Sequence, residues 1–344
     1  MHCFKIFIIT LAVLAIFSTR AEESLPKNQN GQKLANFPSC TLENGATIKP
    51  CKIGYRTFGK LNENADNAVL IPTWFTGNSA DHSYLAAKNI IDPNRYFVVI
   101  VDALGNGVSS SPSNSKTQAD GDFPLFNIGD MVDSQYRLLT EVLGVKQLHA
   151  VVGLSMGGMQ AFEWAVRYPD FMTNTVAVIG TPKLPSFDIA LWETRNRLME
   201  LYRLCECEAA LQAVVGVGML GDMPGTLAAN TQPKGIAPTM ENRAKTYFES
   251  PRQSWDHQRQ AQAMIKHNIA RNLQNDMQQA AKAIKSKVLI IVGKDDRVVT
   301  PAPALAFAKM LKAQTLILDN GCGHGEPWCE ADTFAKTVSE FLQE

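Results

Sequence analysis

Three positions in this sequence carry the residue types of nucleophilic catalysis in a workable order. Gly153-Leu154-Ser155-Met156-Gly157 lies where an apolar run, residues 148–154 (LHAVVGL), gives way to a helical pattern over 157–168 (GGMQAFEWAVRY). A serine on such a strand-to-helix turn is exposed at a sheet edge, and small flanking glycines let the chain pass without steric clash. Its hydroxyl is a weak nucleophile, so it needs an imidazole to take its proton and a carboxylate to hold that imidazole in one tautomer. Turns of this kind take their partners in the chain order Ser, Asp, His. Gly293-Lys294-Asp295-Asp296 follows the apolar run 287–292 (KVLIIV), which places a carboxylate at a strand end. Asp295 and Asp296 compete for the role, and spacing from Gly293 and toward Pro301 favours Asp296. Among the histidines, His324 in 320–327 (NGCGHGEP) alone follows the last strand-like run, 314–318 (QTLIL). His149 begins an interior strand, His257 and His267 fall in a helical interval, and His82, in the loop after Phe75, is a candidate to line the pocket but reads first as a solvated loop residue.

These groups would run acyl transfer through a covalent serine ester: hydrolysis with water as acceptor, O-acylation with an alcohol. The oxyanion needs two backbone N–H donors. Met156 supplies one, and the other is expected from the turn at 73–77 (TWFTG). Cys322, His324 and Cys329 also suggest zinc, but three ligands without a second Cys/His cluster fall short of structural-zinc spacing. No metal and no cofactor is expected. A catalytically silent binding protein is the reading outside enzymology, and the intact Ser, Asp and His argue against it.

The elements that must position these residues follow a rhythm. Short runs at 68–75 (AVLIPTWF), 96–104 (YFVVIVDAL), 148–154, 175–179 (TVAVI), 287–292 and 314–318 are continuously apolar, as strands buried on both faces of a parallel sheet read. Residues 130–143 and 157–168 are the clearest crossover helices, so the fold class is α/β, doubly wound. Residues 183–285 carry helical patterns without a strand-like run, and are expected to form a lid inserted between core segments 22–182 and 286–344. Residues 109–122 form a polar loop at the same rim, 22–37 a loose arm, and 40–59 two antiparallel strands joined at Asn44-Gly45.

Lys+Arg 33 against Asp+Glu 33 gives zero formal charge, without the clustered positive charge of a nucleic-acid binder. At the N-terminus, Lys5, the apolar run 6–17 and Thr19-Arg20-Ala21 read as a signal peptide cut after Ala21. The run is shorter than the roughly 20 residues a membrane span needs. The mature chain is therefore expected outside the cytoplasm, periplasmic or secreted, with a small-molecule acyl substrate as its partner. Oligomeric state is not legible.

Removing the leader leaves Cys40, Cys51, Cys205, Cys207, Cys322 and Cys329, an even set for an oxidising compartment. Cys322 and Cys329 close a short loop around His324 and are the foremost disulfide candidate. Cys40 and Cys51 flank the hairpin, but a two-residue turn sets Cys40 opposite Lys49, so their bond needs a bulge near Pro50. Cys205 and Cys207 fall on different faces of a helical stretch, which argues against their pairing.

Residues 153–164 (GLSMGGMQAFEW) and 123–136 (FPLFNIGDMVDSQY) resemble segments of the homoserine O-acetyltransferase family, within the α/β-hydrolase fold. Residues 55–60 (YRTFGK), 61–65 (LNENA), Thr76-Gly77 and 296–301 (DRVVTP) fit the same pattern. The resemblance runs from about residue 40 to the C-terminus and is thinnest in the lid. It implies Ser155 as nucleophile, Asp296 and His324 as its partners, and Phe75 and Met156 as oxyanion donors. That family usually has a glycine where this chain has Leu154, and commonly an arginine where it has Gly129.

Overall fold

The structure is a computed structural model that describes residues 31–222 and 232–344. The expected leader lies outside the described residues. The described chain enters through β1 (Lys33–Phe37), makes a small hairpin of β2 (Cys40–Thr41) and β3 (Thr47–Ile48), and runs on into β4 (Cys51–Phe58). The six apolar runs become β5 (Ala68–Pro72), β6 (Phe97–Val101), β7 (Leu148–Leu154), β8 (Met172–Val178), β9 (Lys287–Gly293) and β10 (Gln314–Leu318). One eight-stranded sheet takes the order β1-β4-β6-β5-β7-β8-β9-β10. Pairing is antiparallel from β1 to β4 and from β4 to β6, and parallel from β6 onward.

Helices α1 (Tyr84–Ala87), α2 (Ile128–Arg137) and α3 (Met156–Arg167) follow β5, β6 and β7. Between β8 and β9 come α4 (Ser186–Cys205), α5 (Glu208–Asp222), α6 (Ile236–Lys245), α7 (Gln253–Ile265) and α8 (Met277–Ala283). The chain closes with α9 (Pro301–Leu311), the short α10 (Glu326–Cys329) and α11 (Ala331–Phe341). Alternate strand residues serve opposite layers, which explains the unbroken apolar runs. Leu70 and Val99 face a layer holding Phe162 of α3 and Phe307 of α9, whereas Val69 and Ile71 face Leu85 of α1 and Phe334 of α11. Among the described residues no strand lies in the α4–α8 interval, and α4, α5 and α6 share a small core of Met199, Leu211, Val214 and Ala244. Helix α8 packs against α3 and α9. No helix among the described residues is long and apolar enough to cross a membrane.

Three local expectations change. Residues 33–37 are not a loose arm but strand β1, turning Ala35 and Phe37 inward beneath the Arg137 guanidinium, 4.2 Å from the Phe37 ring. Two inward residues are too short an alternation to stand out in the sequence. In the hairpin, Leu42 N–H donates to Ala46 O, so the loop holds three residues and Cys40 pairs with Ile48 rather than Lys49. That extra residue brings Cys40 within a Cα–Cα distance of 5.5 Å of Cys51, and the two form a disulfide. Cys205 and Cys207 are also bonded, against expectation, with Cα atoms 5.0 Å apart. Helix α4 stops at Cys205, and Glu206 is left-handed (φ 50°), which turns Cys207 back on its neighbour.

Candidate active site

Ser155 sits between β7 and α3 at φ 58°, ψ −121°, a conformation ordinarily costly for a residue with a side chain. The surroundings hold it there: its N–H donates to Val178 O (2.9 Å), and its carbonyl accepts from Met159 N–H (3.0 Å). Both flanking glycines are needed. A Cβ on Gly153 would strike the Gly157 carbonyl, and one on Gly157 would lie 2.5 Å from Pro72 O at the end of β5. The serine is only 9% exposed.

His324 arrives on the loop after β10. Its Nε2 is 2.9 Å from Ser155 Oγ and its Nδ1 is 2.7 Å from Asp296 Oδ2. A neutral imidazole with Nδ1–H donating to the carboxylate leaves Nε2 to accept from the serine hydroxyl. Asp296, buried in the turn after β9, spends its other oxygen on Val298 N–H (2.8 Å) and Val299 N–H (3.0 Å). Its neighbour Asp295 is exposed. The histidine loop has two tethers of its own. Buried Glu326 accepts from Cys322 N–H (2.9 Å) and Asn320 N–H (3.0 Å), and Cys322 and Cys329 form a disulfide, Cα atoms 6.6 Å apart. That bond also occupies both thiols of the zinc alternative.

The turn after β5 holds its backbone donors almost fully engaged. Thr73 N–H donates to Val101 O (3.1 Å), Trp74 N–H to His82 Nε2 (3.2 Å), Thr76 N–H to Gln260 Oε1 (2.8 Å) and Gly77 N–H to Trp74 O (3.1 Å). Among the described residues, Phe75 N–H has no protein acceptor, and neither does Met156 N–H at the head of α3. His82 is therefore a correction: it is fully buried rather than solvated, and burial pushes its pKa down to about 3. As a neutral ring it accepts from Trp74 at Nε2 while Nδ1 meets Asn78 O at 3.1 Å.

Known proteins resemble this chain in sequence and in fold. The sequence profile described as alpha/beta hydrolase fold matches residues 68–326, about three quarters of the chain. This chain belongs to the α/β-hydrolase fold family. An ethyl acetate hydrolase from Pseudomonas veronii is 38% identical over 170 residues, 48% of this chain and 49% of that one. A homoserine O-acetyltransferase from Carboxydothermus hydrogenoformans is 36% identical over 181 residues, 46% of each chain. The chain spans about half the length of the curated relatives it matches. The solved acetyl esterase MekB superposes with a TM-score of 0.83 at 26% identity, covering 91% of this chain and 97% of that one.

In this α/β-hydrolase the helices between β8 and β9 pack on the turn after β5 and reach the turn after β9. The Phe75 ring meets Trp192 of α4 at 4.8 Å and His257 of α7 at 5.5 Å. Arg195 lies 5.0 Å from the Trp192 ring and donates to Tyr247 Oη (2.9 Å). Fully buried Asp188 accepts from Thr300 N–H (3.0 Å), and burial pushes its carboxyl up to about 6 against the pull of that hydrogen bond. The polar rim loop is tied to α7 by Asp256, which accepts from Ser113 N–H (2.8 Å), and by Arg252 on Asp120 (2.8 Å). Sequence reasoning missed Asp188, Trp192 and Arg195. Their spacing of four and then three residues puts them on one face of a helix, but no local pattern sets that face apart from the rest of α4.

Proposed function

We propose that this chain is an exported serine hydrolase of small esters that works through an acyl-enzyme on Ser155. The observation that carries the reading is the unbroken chain of 2.9 and 2.7 Å contacts from Ser155 Oγ through His324 to Asp296. Ser155 Oγ attacks the ester carbonyl carbon as its proton passes to His324 Nε2, and the carbonyl oxygen gains the negative charge. Two preorganised donors, the N–H groups of Phe75 and Met156, face that charge, aided by the N-terminus of α3. Collapse expels the alcohol, which takes the proton from Nε2, and the acyl group stays on Oγ. Water then attacks with the same histidine as base, releasing the acid. Asp296 keeps the imidazole in the required tautomer and stabilises the imidazolium.

A small acyl group such as acetyl is supported by the relatives, which include an ethyl acetate hydrolase and an acetyl esterase. The second reading is acyl transfer to an alcohol, which likeness to homoserine O-acetyltransferases supports. A leader at residues 1–21 and six further cysteines support export and favour water as the acceptor.

The test is hydrolysis of p-nitrophenyl acetate by purified protein, with and without homoserine and acetyl-CoA. Wild type should turn over and accept a fluorophosphonate label, and Ser155→Ala should do neither. Equal labelling of both proteins would end the assignment, and O-acetylhomoserine as main product would replace hydrolysis with transfer. N-terminal sequencing of exported protein should begin at Glu22.

A further inference from the structure

The lid wall of the site holds hydrogen-bonding capacity that the protein itself leaves unused. Among the described residues, Asp188 Oδ1, Trp192 Nε1 and His257 Nδ1 are buried polar atoms without a hydrogen-bond partner. Leaving such atoms unpaired in the interior is expensive, so each needs a reason. Asp188 and Trp192 are four residues apart on α4 and therefore share one face, on successive turns. The two ends of that face are anchored to the two halves of the catalytic apparatus. Asp188 uses its second oxygen on Thr300 N–H, in the turn that continues from Asp296. Trp192 stands edge-on to Phe75, whose backbone is the proposed oxyanion donor. The first anchor leads to Ser155 through Asp296 and His324, and near the second, Pro72, three residues before Phe75, abuts Gly157, two residues after Ser155.

The chemistry of the pair is complementary. An indole Nε1–H only donates, and an ionised carboxylate only accepts. One small group does both at once: a hydroxyl, whose oxygen accepts from the indole while its proton goes to the carboxylate. We propose that Asp188 and Trp192 form a hydroxyl subsite, so that the preferred substrates are small esters bearing a free hydroxyl next to the ester bond. The inference rests on Ser155 being the nucleophile and adds the substrate class. Burial holds Asp188 at a pKa of about 6, so at neutral pH its free oxygen is mainly an acceptor. The hydroxyl can belong to the alcohol or to the acyl half of the ester, and the same two atoms would bind either.

Three esters of similar size separate the outcomes: ethyl acetate, 2-hydroxyethyl acetate and ethyl glycolate. Each kcat/KM is divided by that ester's rate of alkaline hydrolysis, which removes intrinsic reactivity. Wild type should favour at least one hydroxylated ester over ethyl acetate by about tenfold, the discrimination one satisfied polar contact supplies. Preference for 2-hydroxyethyl acetate assigns the hydroxyl to the alcohol, and preference for ethyl glycolate assigns it to the acyl group. Trp192→Phe, which keeps an aromatic ring against Phe75, and Asp188→Ala should each bring the ratio close to one. Because a ratio is read, a general loss of activity cancels. A wild-type ratio near one, as when an ordered water bridges the two atoms, overturns the proposal. So does a ratio that both variants leave intact. A Ser155→Ala protein that still hydrolysed ethyl acetate would sink the nucleophile assignment instead, with the ratio unaffected.

Discussion

Ser155, Asp296 and His324 sit on turns that follow β7, β9 and β10, whereas Asp188, Trp192 and His257 reach the same place from helices α4 and α7. The turns are positioned by close backbone contacts at neighbouring strand ends. Gly153 and Gly157 leave Ser155 its left-handed backbone, and both Asp296 oxygens are engaged by groups at most 28 residues away. The helices are positioned by contacts between distant segments, such as Trp192 on Phe75 and Thr300 on Asp188. On the proposed reading, bond-making groups belong to the sheet and substrate selection to the inserted helices, with one exception. Gln260 of α7 accepts Thr76 N–H at 2.8 Å and donates to Leu104 O at 3.1 Å, so an inserted helix also steadies the oxyanion turn.

The largest break on the sheet side is Asp296→Asn. The amide cannot accept from Nδ1–H and from two backbone N–H groups in the same way, so the imidazole is held in the wrong tautomer. Turnover should fall about 10⁴-fold with folding intact. Asp295→Asn, at an exposed position, should change turnover little. A crippled Asp295 variant beside an active Asp296 variant would reverse the choice between neighbours.

The exception sets the next prediction. Gln260→Ala removes the acceptor that fixes Thr76 N–H and loosens the peptide next to the one carrying Phe75 N–H. A displacement of roughly 1 Å at such a donor can cost about 100-fold. We expect kcat for p-nitrophenyl acetate to fall on the order of 100-fold with KM nearly unchanged, because the donor matters once charge develops. A rise in KM at constant kcat would return Gln260 to substrate binding and restore the simpler division between sheet and helices.

The same contrast explains what was legible in the sequence. The six parallel strands announced themselves because burial on both faces forces a continuous apolar run, and the glycines around Ser155 marked the elbow. Strand β1 did not, since an edge strand with two inward residues has almost no pattern. His82 misled because a loop histidine is usually wet, whereas this one lies under the Trp74 ring, 3.7 Å away. Asp188, Trp192 and His257 were invisible for a deeper reason: α4 and α7 carry many polar residues, and what singles out these three is contact with Phe75 and Thr300, which no local window contains.

The histidine loop tests how finely a sheet-side turn must be held. Gly321, Gly323 and Gly325 loosen it, and the Cys322–Cys329 bond and the Glu326 carboxylate restrain it. With one of two tethers left, Cys322→Ser/Cys329→Ser should lose about tenfold in turnover, less than the misplacement limit, while keeping a cooperative thermal transition. Peptide mapping of non-reduced wild type should recover the two cysteines in one linked fragment. Full activity in the double variant would show that Glu326 suffices.

The smallest effect lies where the hairpin, α3 and the end of the inserted region meet. Glu43 accepts from Arg271 (2.7 Å) and Asn127 (2.7 Å), with Arg167 also paired to it, and Arg271 reaches on to buried Glu163 (2.7 Å). Arg271 occupies the space beside Gly129, where a Cβ would collide with its guanidinium. Burial opposes ionisation of Glu43, but the hydrogen bonds and charge of Arg271 outweigh it and hold the pKa at about 2, below the ordinary 4.5. A carboxylate whose folded pKa is depressed stabilises the protein above its unfolded pKa, and that stability is lost as pH falls through 4.5 toward 2. Glu163 runs the other way, since burial raises its pKa despite Arg271, so the informative quantity is the difference between wild type and Glu43→Gln. With the pair partly open to solvent, the variant should be less stable by about 1 kcal/mol at pH 7. That gap should shrink by roughly half by about pH 3 and close only toward pH 2, while ester turnover at pH 7 stays unchanged. Denaturant unfolding across pH 3–7 measures it, and a gap that persists undiminished at low pH would mean Glu43 stabilises by packing rather than by charge.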